Sequence, residues 1–252
     1  MKKTVWKNVL QTAGAIAVLV CVWLIVWVSV GNDEIFPPFF DAVKAFFEYF
    51  LNGGFWLAFG NTFLRVLTAF TVSFVCAGGV AFIAYLYPSF DRFFAPFATV
   101  IRVLPVFAII FLLLFWTDAN VVPVLVACLS LFPVFYTSFL SALNGVDQGL
   151  FEMSKVYRVP LKRRITQLYL PSLFPFLVRE IGAGLAFGIK LVVSAEVLVR
   201  TARSIGSLVL ETQYVYAELP KLFALVIAVC LIGFLLECLG QVLAKAIERR
   251  WK

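Results

Sequence analysis

The chain has 252 residues, of which 63% are hydrophobic and only 14% are charged, and its mean hydropathy is +0.99. A soluble domain is about half apolar and about a quarter charged, so one aqueous core could not bury this much apolar surface. The composition therefore excludes an ordinary soluble enzyme or nucleic-acid-binding domain and favours a helix bundle in lipid. The net charge of +7 arises from basic residues between apolar runs, which indicates membrane topology.

Six apolar runs are long enough to cross a bilayer as helices, which need about 20 residues each. They predict an all-α membrane protein with one six-helix transmembrane domain over residues 1–252. The first run follows Lys2 and Lys3 and has no convincing cleavage site, so we predict an uncleaved anchor and not a signal peptide. The expected spans cover residues 9–30, 56–87, 93–116, 121–143, 173–198 and 222–244.

The basic residues predict the orientation of these spans, because Lys and Arg concentrate in cytoplasmic loops. They cluster before the first span, after the second, between the fourth and fifth, and after the sixth. The intervening loops carry mostly acidic residues. Both termini are therefore expected in the cytoplasm. The basic residues that set this orientation are Lys2, Lys3, Lys7, Arg92, Lys155, Arg158, Lys162, Arg163, Arg164, Lys245, Arg249, Arg250 and Lys252.

Two outer segments have helical character of their own. Residues 36–51 carry Pro37 and Pro38 near their start and are followed by Asn52-Gly53-Gly54, which predicts an interfacial helix. Residues 204–215 are weakly amphipathic and are expected to lie at the outer face or to dip toward a pore. A simple surface helix and a gating role stay equally open for both.

The sequence lacks the residues on which several kinds of chemistry usually depend. It contains no histidine, and its five cysteines lie in or beside apolar runs without a C-x-x-C pair. It has no G-x-x-x-x-G-K-[ST] phosphate loop. We therefore expect no catalytic site, no metal site and no nucleotide-binding site in this chain.

The segment between the fourth and fifth spans, residues 147–171, is the most informative loop. A short helix is expected after Asp147, and Pro160 can open a second one. Apolar residues recur along an otherwise basic stretch, which predicts a structured knob that docks into a groove on another protein.

This segment resembles the coupling motif of permeases from binding-protein-dependent ABC importers. The family's pattern is a glutamate and two alanines, a glycine after three more residues, and isoleucine-x-leucine-proline after nine more. Glu152 takes the glutamate position, and Leu168, Leu170 and Pro171 take the terminal positions. Met153 and Ser154 replace the alanines, and Arg158 occupies the glycine position.

The resemblance continues along most of the chain. Residues 61–67 are similar to the start of the family's second span, residues 101–105 to its leucine-arginine-proline-x-proline stretch, and residues 194–197 with 204–206 to the sequence leaving its fifth span. Only Pro105 remains of the two prolines. The nearest branch is the nitrate/sulfonate/taurine type, which includes permeases for thiamine-precursor pyrimidines.

The resemblance implies a type I importer fold in a bacterial-type inner membrane and a mechanical function. Two permease subunits, expected to be a homodimer although a heterodimer stays open, would form the translocation pathway for a small polar or anionic solute. Separate ATPase subunits would bind ATP and magnesium and contact the coupling loop. An extracytoplasmic solute-binding protein would deliver the solute. The coupling residues it implies are Glu152, Met153, Ser154, Arg158, Leu168 and Pro171.

Seven charges within or near the ends of the expected spans need a reason, because a central charge costs roughly 2.5–3.5 kcal/mol on insertion scales. They are Arg65, Arg102, Arg179, Glu180, Lys190, Glu196 and Glu237. Lys190 and Glu196 are six residues apart and do not share a helical face, so each should find another partner or face water. We expect Lys190 and Arg65 to border the pathway, and interhelical pairing is the alternative. The G-x-x-x-G spacing of Gly184 and Gly188 favours close helix packing.

A second class of function stays in view: a secondary transporter or channel that works without ATP. Such proteins show internal repeats, midplane carboxylates in several spans or a selectivity loop. The sequence offers little of this, and copurification with an ATPase would separate the two classes.

Overall fold

The computed structural model describes residues 2–145, 148–216 and 218–251, and every regular element within them is a helix. The all-α fold expected from the sequence is therefore confirmed. The elements are α1 (Lys2–Val30), α2 (Phe39–Leu51), α3 (Gly53–Leu86), α4 (Pro88–Val103), α5 (Val106–Leu114), α6 (Val122–Asn144), α7 (Gln148–Val156), α8 (Leu161–Arg164), a π-helical turn (Ile165–Tyr169), α9 (Leu170–Val199), α10 (Ile205–Leu210), a second π-helical turn (Glu211–Tyr216) and α11 (Leu219–Trp251).

Four helices of the described chain are long and apolar enough to cross a membrane without interruption: α3, α6, α9 and α11. Helices α4 and α5 pass the same test only together, as one span bent by 88°. In α1, the described apolar stretch covers Ala17–Val30 and is shorter than a full span. The elements thus follow the order of the six expected runs, but they are not six straight helices.

The third expected span differs most from its prediction of one helix over residues 93–116. Helix α4 already begins at Pro88, whose fixed φ suits a first helical position. The helix stops at Leu104, which has φ −59° and ψ 130°, and α5 restarts after Pro105. Proline disfavours the helical conformation of the residue before it and supplies no N–H, which explains the break.

The chain forms two compact units, and the first comprises Met1–Trp56 with Leu208–Ala228. Its interior is aromatic: the rings of Trp23, Phe36 and Phe223 pack in tilted and edge-to-face arrangements, with centroids 5.1–5.2 Å apart. The indole N–H of Trp23 donates to the carbonyl of Pro37 at 3.1 Å. Helix α2 buries Ala42 and Ala45 and exposes an aromatic side, as expected for an interfacial helix.

The second unit comprises Leu57–Ser207 with Val229–Lys252 and contains the larger core. Helix α6 lies at its centre and packs against α4, α5 and α9. A main cluster of buried side chains from α3, α6 and α9 includes Val66, Phe70, Leu131, Phe135 and Val192. A second cluster joins α5 to the start of α6 and the end of α9 through Ile109, Ile110, Val122, Val126, Ala195 and Val199.

Glycine allows two helices of this unit to touch backbone to backbone. A Cβ on Gly182 of α9 would lie 2.8 Å from the Cα of Gly240 on α11 and 2.8 Å from the carbonyl oxygen of Leu236. Gly184 accommodates the ring of Phe135 in the same way, and Gly188 faces Val66. Gly184 and Gly188 thus take part in close packing within the subunit, and Gly182 and Gly240 leave no room for a side chain between α9 and α11.

Candidate functional site

A fully buried carboxylate ties together three separate stretches of the second unit. Glu196, near the end of α9, is 0% exposed. It accepts a hydrogen bond from the Thr62 hydroxyl at 2.9 Å, from Arg65 Nη1 at 2.9 Å and from the backbone N–H of Gly206 at 3.2 Å. Thr62 in turn accepts the N–H of Ile205 at 3.0 Å. We call these residues, Thr62, Arg65, Glu196, Ile205 and Gly206, the Glu196 clamp.

The chain reaches the clamp because α9 ends in a left-handed turn. Arg200 has φ 55°, and the N–H of Thr201 donates to the carbonyl of Glu196 at 3.1 Å, which is the capping pattern of a Schellman motif. Arg203 is also left-handed, with φ 51°. The chain then returns toward α9, and a Cβ on Gly206 would lie only 2.4 Å from the Cβ of Glu196. Only glycine fits there.

The three charges singled out from the sequence have different environments. Arg65 and Glu196 form an ion pair between α3 and α9, and the Arg65 side chain is 17% exposed. Lys190 lies apart from them and is exposed. It lines a cleft of about 510 Å³ between α9 and α11, which we call the α9–α11 cleft. Arg65 thus has an ion-pair partner on another helix, whereas Lys190 faces an open cleft.

Another arginine, at the end of α4, joins this helix to α6. Arg102, two residues before the break in α4, donates to the Thr137 hydroxyl at 2.8 Å and to the carbonyl of Pro133 at 3.2 Å. Both acceptors lie on α6. The guanidinium therefore fixes the end of α4 next to the 88° bend.

The 147–171 segment contains the two helices expected from its sequence, α7 and α8. Helix α7 ends in a second Schellman motif: Arg158 has φ 49°, and the N–H of Val159 donates to the carbonyl of Ser154 at 2.9 Å. Glu152, Met153 and Arg158 are exposed, and Ser154 is half-buried. Asp147 and the side chains of Leu168 and Pro171 lie outside the described residues.

A pair of tyrosines anchors the far end of this segment. Tyr169, in the last position of the π-helical turn, is buried, and its hydroxyl lies 3.2 Å from that of Tyr85 at the end of α3. Leu143 and Leu173 complete this small cluster. Burial raises the pKa of the Tyr169 hydroxyl above its ordinary value.

Comparison with known families assigns this chain to a protein family. Residues 73–251 match the family described as the binding-protein-dependent transport system inner membrane component. This match covers more than half of the chain. The chain belongs to this family. It is a permease subunit of an ABC importer, and the resemblance drawn from its motifs is confirmed.

Individual relatives agree with this assignment. The permease is 23% identical, over 94% of its length and 85% of the relative's, to the putative aliphatic sulfonates transport permease protein SsuC of Bacillus subtilis (strain 168). This relative agrees with the nitrate/sulfonate/taurine-type branch expected from the sequence.

Solved structures confirm the importer fold. A chain of the inward-facing MetNI methionine ABC transporter aligns with a TM-score of 0.67 at 15% identity, covering 76% of the permease and 96% of that chain. A chain of a bacterial ABC transporter that imports the acidic polysaccharide alginate aligns with a TM-score of 0.63 at 14% identity, covering 96% and 99%.

Membership of a transport family agrees with the absence of a catalytic constellation in the sequence. Members of this family are inner membrane components that act as transport permeases and not as enzymes. The long apolar helices fit a multi-pass membrane protein.

The sequence alone does not identify all residues of the Glu196 clamp. Thr62 and Gly206 lie within two stretches of family resemblance, but nothing in their residue types showed that they meet at Glu196. The left-handed turns after α9 also lack a sequence signal, because arginine rarely adopts positive φ and glycine is the usual indicator.

The left-handed backbone of Arg158 gives a testable prediction about the stability of α7. It stands where the family has glycine, and its backbone takes the left-handed conformation that glycine adopts without penalty. We expect Arg158→Gly to stabilise the end of α7 by about 0.5–1 kcal/mol, which slower amide hydrogen exchange across residues 148–159 would report. The matched control is Arg163→Gly within α8, where glycine should speed exchange because it weakens a helix. Faster exchange in both variants would contradict the assignment of strain to Arg158.

Proposed function

We propose that this permease moves a small polar solute with an anionic group inward and is driven by a separate ATPase that contacts the 147–171 segment. The proposal rests on the exposed residues at the end of α7 and directly after it. Met153, Val156 and Tyr157 expose 55%, 78% and 75% of their surface, although all three are apolar or aromatic. Exposed side chains of this kind at one site favour a docked partner.

The charges around these residues suit a protein groove better than lipid tails. Glu152 is exposed on α7, and Lys162 and Arg163 are exposed on α8. A partner that accepts this surface would need an apolar pocket with polar groups at its rim, which is the common organisation of a protein interface. We assign the segment to the cytoplasmic side, with both termini, from the distribution of Lys and Arg.

ATP and magnesium belong to the partner in this proposal. The chain carries no phosphate-loop motif, so the energy of hydrolysis has to enter through contact between subunits. A second copy of the permease would complete the pathway, and an extracytoplasmic binding protein would supply the solute. The whole complex would work in the cytoplasmic membrane of a bacterium.

The anionic group of the solute is proposed from two independent features. The relative from Bacillus subtilis is described as an aliphatic sulfonate permease. Lys190 is exposed to a cleft in a membrane-crossing helix, where an uncompensated charge is costly. An oxyanion that reaches Lys190 would compensate that charge.

Site-specific crosslinking tests the contact with the ATPase. In a variant whose five native cysteines are replaced by serine, Met153→Cys should crosslink to a coexpressed ATPase subunit and lower solute-dependent ATP hydrolysis. Because Met153 is exposed on α7, a cysteine at this position should reach a bound partner. The matched control is Asp118→Cys, which lies in an opposite, outer loop in the proposed topology and should give no crosslink. A crosslink from Asp118→Cys alone would contradict the proposed orientation, and uptake by the permease without any ATPase would contradict the coupling.

A further inference from the structure

One face of α11 is exposed along most of the part of this helix that belongs to the second unit. Its apolar members follow one another at intervals of three or four residues, so they lie on the same side of the helix. Leu231, Leu235, Leu239 and Val242 expose 42%, 63%, 56% and 63% of their surface. We call these four residues the α11 stripe. Because α11 is long and apolar enough to cross a membrane, this surface suits contact with lipid chains.

The α11 stripe is followed by a cluster of positive charge. Residues 245–252 carry four basic residues and one acidic residue: Lys245, Arg249, Arg250, Lys252 and Glu248. Lys245 and Arg249 are exposed and stand three and seven residues after Val242, which places them on or beside the stripe. Glu248 is turned about 100° away from Arg249 around the helix axis. The stripe therefore ends in two cations and not in a balanced pair.

No ion pair within the described part of the chain compensates these two cations. The two ion pairs found there join Arg65 to Glu196 and Lys221 to Glu218. An anionic ligand at the end of the stripe would therefore supply the compensating charge.

The depth of the two cations matches the headgroup layer of a bilayer. At a rise of about 1.5 Å per residue, Lys245 and Arg249 lie roughly 5 and 10 Å beyond Val242, near the end of the apolar run. The headgroup layer is roughly 5–8 Å thick on each side of the hydrocarbon core. Helical side chains also tilt toward the N-terminus of their helix, so both cations lean back toward the membrane. Lipid phosphates are thus within their reach.

We propose that the end of α11 binds an anionic phospholipid, with its phosphate on Lys245 and Arg249 and its acyl chains along the α11 stripe. A basic cluster directly after a membrane-crossing helix is a common determinant of anionic lipid binding. The apolar stems of the two side chains can lie on the stripe while their charged groups reach the phosphate. This inference goes beyond the proposed function, because it concerns neither the solute nor the ATPase.

Charge favours a lipid over a second copy of the permease as the occupant of this face. Subunits related by a two-fold axis along the membrane normal present the same face to each other at the same depth. A contact between two α11 stripes would therefore bring the two cationic ends together, and like charges would repel. A lipid meets the same face with the opposite charge, and its chains complete the apolar contact.

Quenching of a fluorophore on the α11 stripe measures which lipid lies against it. The experiment uses full-length permease with its five native cysteines replaced by serine and with Val242→Cys labelled by a dansyl group. The protein is reconstituted in mixed vesicles of phosphatidylglycerol and phosphatidylcholine, in which one lipid or the other carries brominated, quenching chains. The ratio of the two quenching efficiencies at equal mole fractions gives the relative affinity. The matched control is Leu231→Cys, on the same stripe but eleven residues farther from the cationic end.

We expect the Val242→Cys label to report a preference for phosphatidylglycerol of at least about fivefold, the effect of one basic residue at an anionic membrane surface. The Leu231→Cys label should report no preference. Lys245→Gln with Arg249→Gln should bring the ratio close to one, whereas Lys245→Arg with Arg249→Lys should retain the preference. An increase in salt from about 0.05 M to about 0.5 M should weaken it, because screening shortens the range of the attraction.

Equal quenching by the two lipids at the Val242→Cys label overturns the inference. A preference that survives Lys245→Gln with Arg249→Gln also overturns it, because other residues would then hold the lipid. So does a loss of the preference on addition of glycerol phosphate, which would identify a site for soluble phosphate. The Leu231→Cys label in the same charge variants checks that α11 stays folded and inserted. If these variants lose stability equally in both lipids and no preference exists, the two cations serve only the C-terminal dipole of the helix.

Discussion

Replacement of Glu196 by alanine should lower the unfolding free energy of the permease by about 3–5 kcal/mol, the usual loss when one partner of a buried ion pair is removed. The variant would leave the Arg65 guanidinium facing a cavity without its counter-charge. The hydroxyl of Thr62 and the N–H of Gly206 would lose their acceptor at the same time. Each unsatisfied buried group adds to the loss.

This result can be measured as unfolding in mixed micelles, with Glu248→Ala as the control. Glu248 is an exposed glutamate of α11, and its loss should change stability little. A double variant with methionine at both Arg65 and Glu196 should lose less than the sum of the two single changes, because no unpaired charge remains. Equal losses for Glu196→Ala and Glu248→Ala would show that the clamp does not stabilise the fold.

Replacement of Gly182 by alanine should be the second most damaging change, with a loss of about 1–3 kcal/mol from overpacking. The new Cβ would meet backbone atoms of α11 at 2.8 Å, and backbone cannot move aside as a flexible side chain can. Helices α9 and α11 would have to separate at the point where they are pinned.

The matched control is Gly79→Ala on α3, because no atom lies within 4 Å of the position of its Cβ. That substitution should be neutral or stabilise the helix, since alanine is a better helix former than glycine by up to about 1 kcal/mol. Thermal unfolding in detergent compares the two variants directly. A smaller loss for Gly182→Ala than for Gly79→Ala would contradict the close contact with Gly240.

The sequence predicted the long helices well because each one coincides with an apolar run. It predicted the bend in the third span poorly, although Pro105 was noted as part of a family motif. The run over residues 93–116 stays apolar through the break, so hydropathy gives no indication of it. Helix α4 also begins five residues before the expected start of that span.

Features of the candidate site could be predicted only where the local sequence determines them. A short helix after Asp147 and a second one opened by Pro160 were predicted from the helix pattern and the proline. The partner of Glu196 is 131 residues away in the chain, so only the fold could bring Arg65 to it.

Helix α8, the π-helical turn and α9 form one continuous helical run from residue 161 to residue 199, roughly 58 Å long. Two irregular points, the π-helical turn and Pro175, lie close together in its first half. A displacement of α8 would therefore bend the run at these two points and tilt the rest of α9. The Glu196 carboxylate lies near the far end of α9, where a small change in tilt gives the largest displacement.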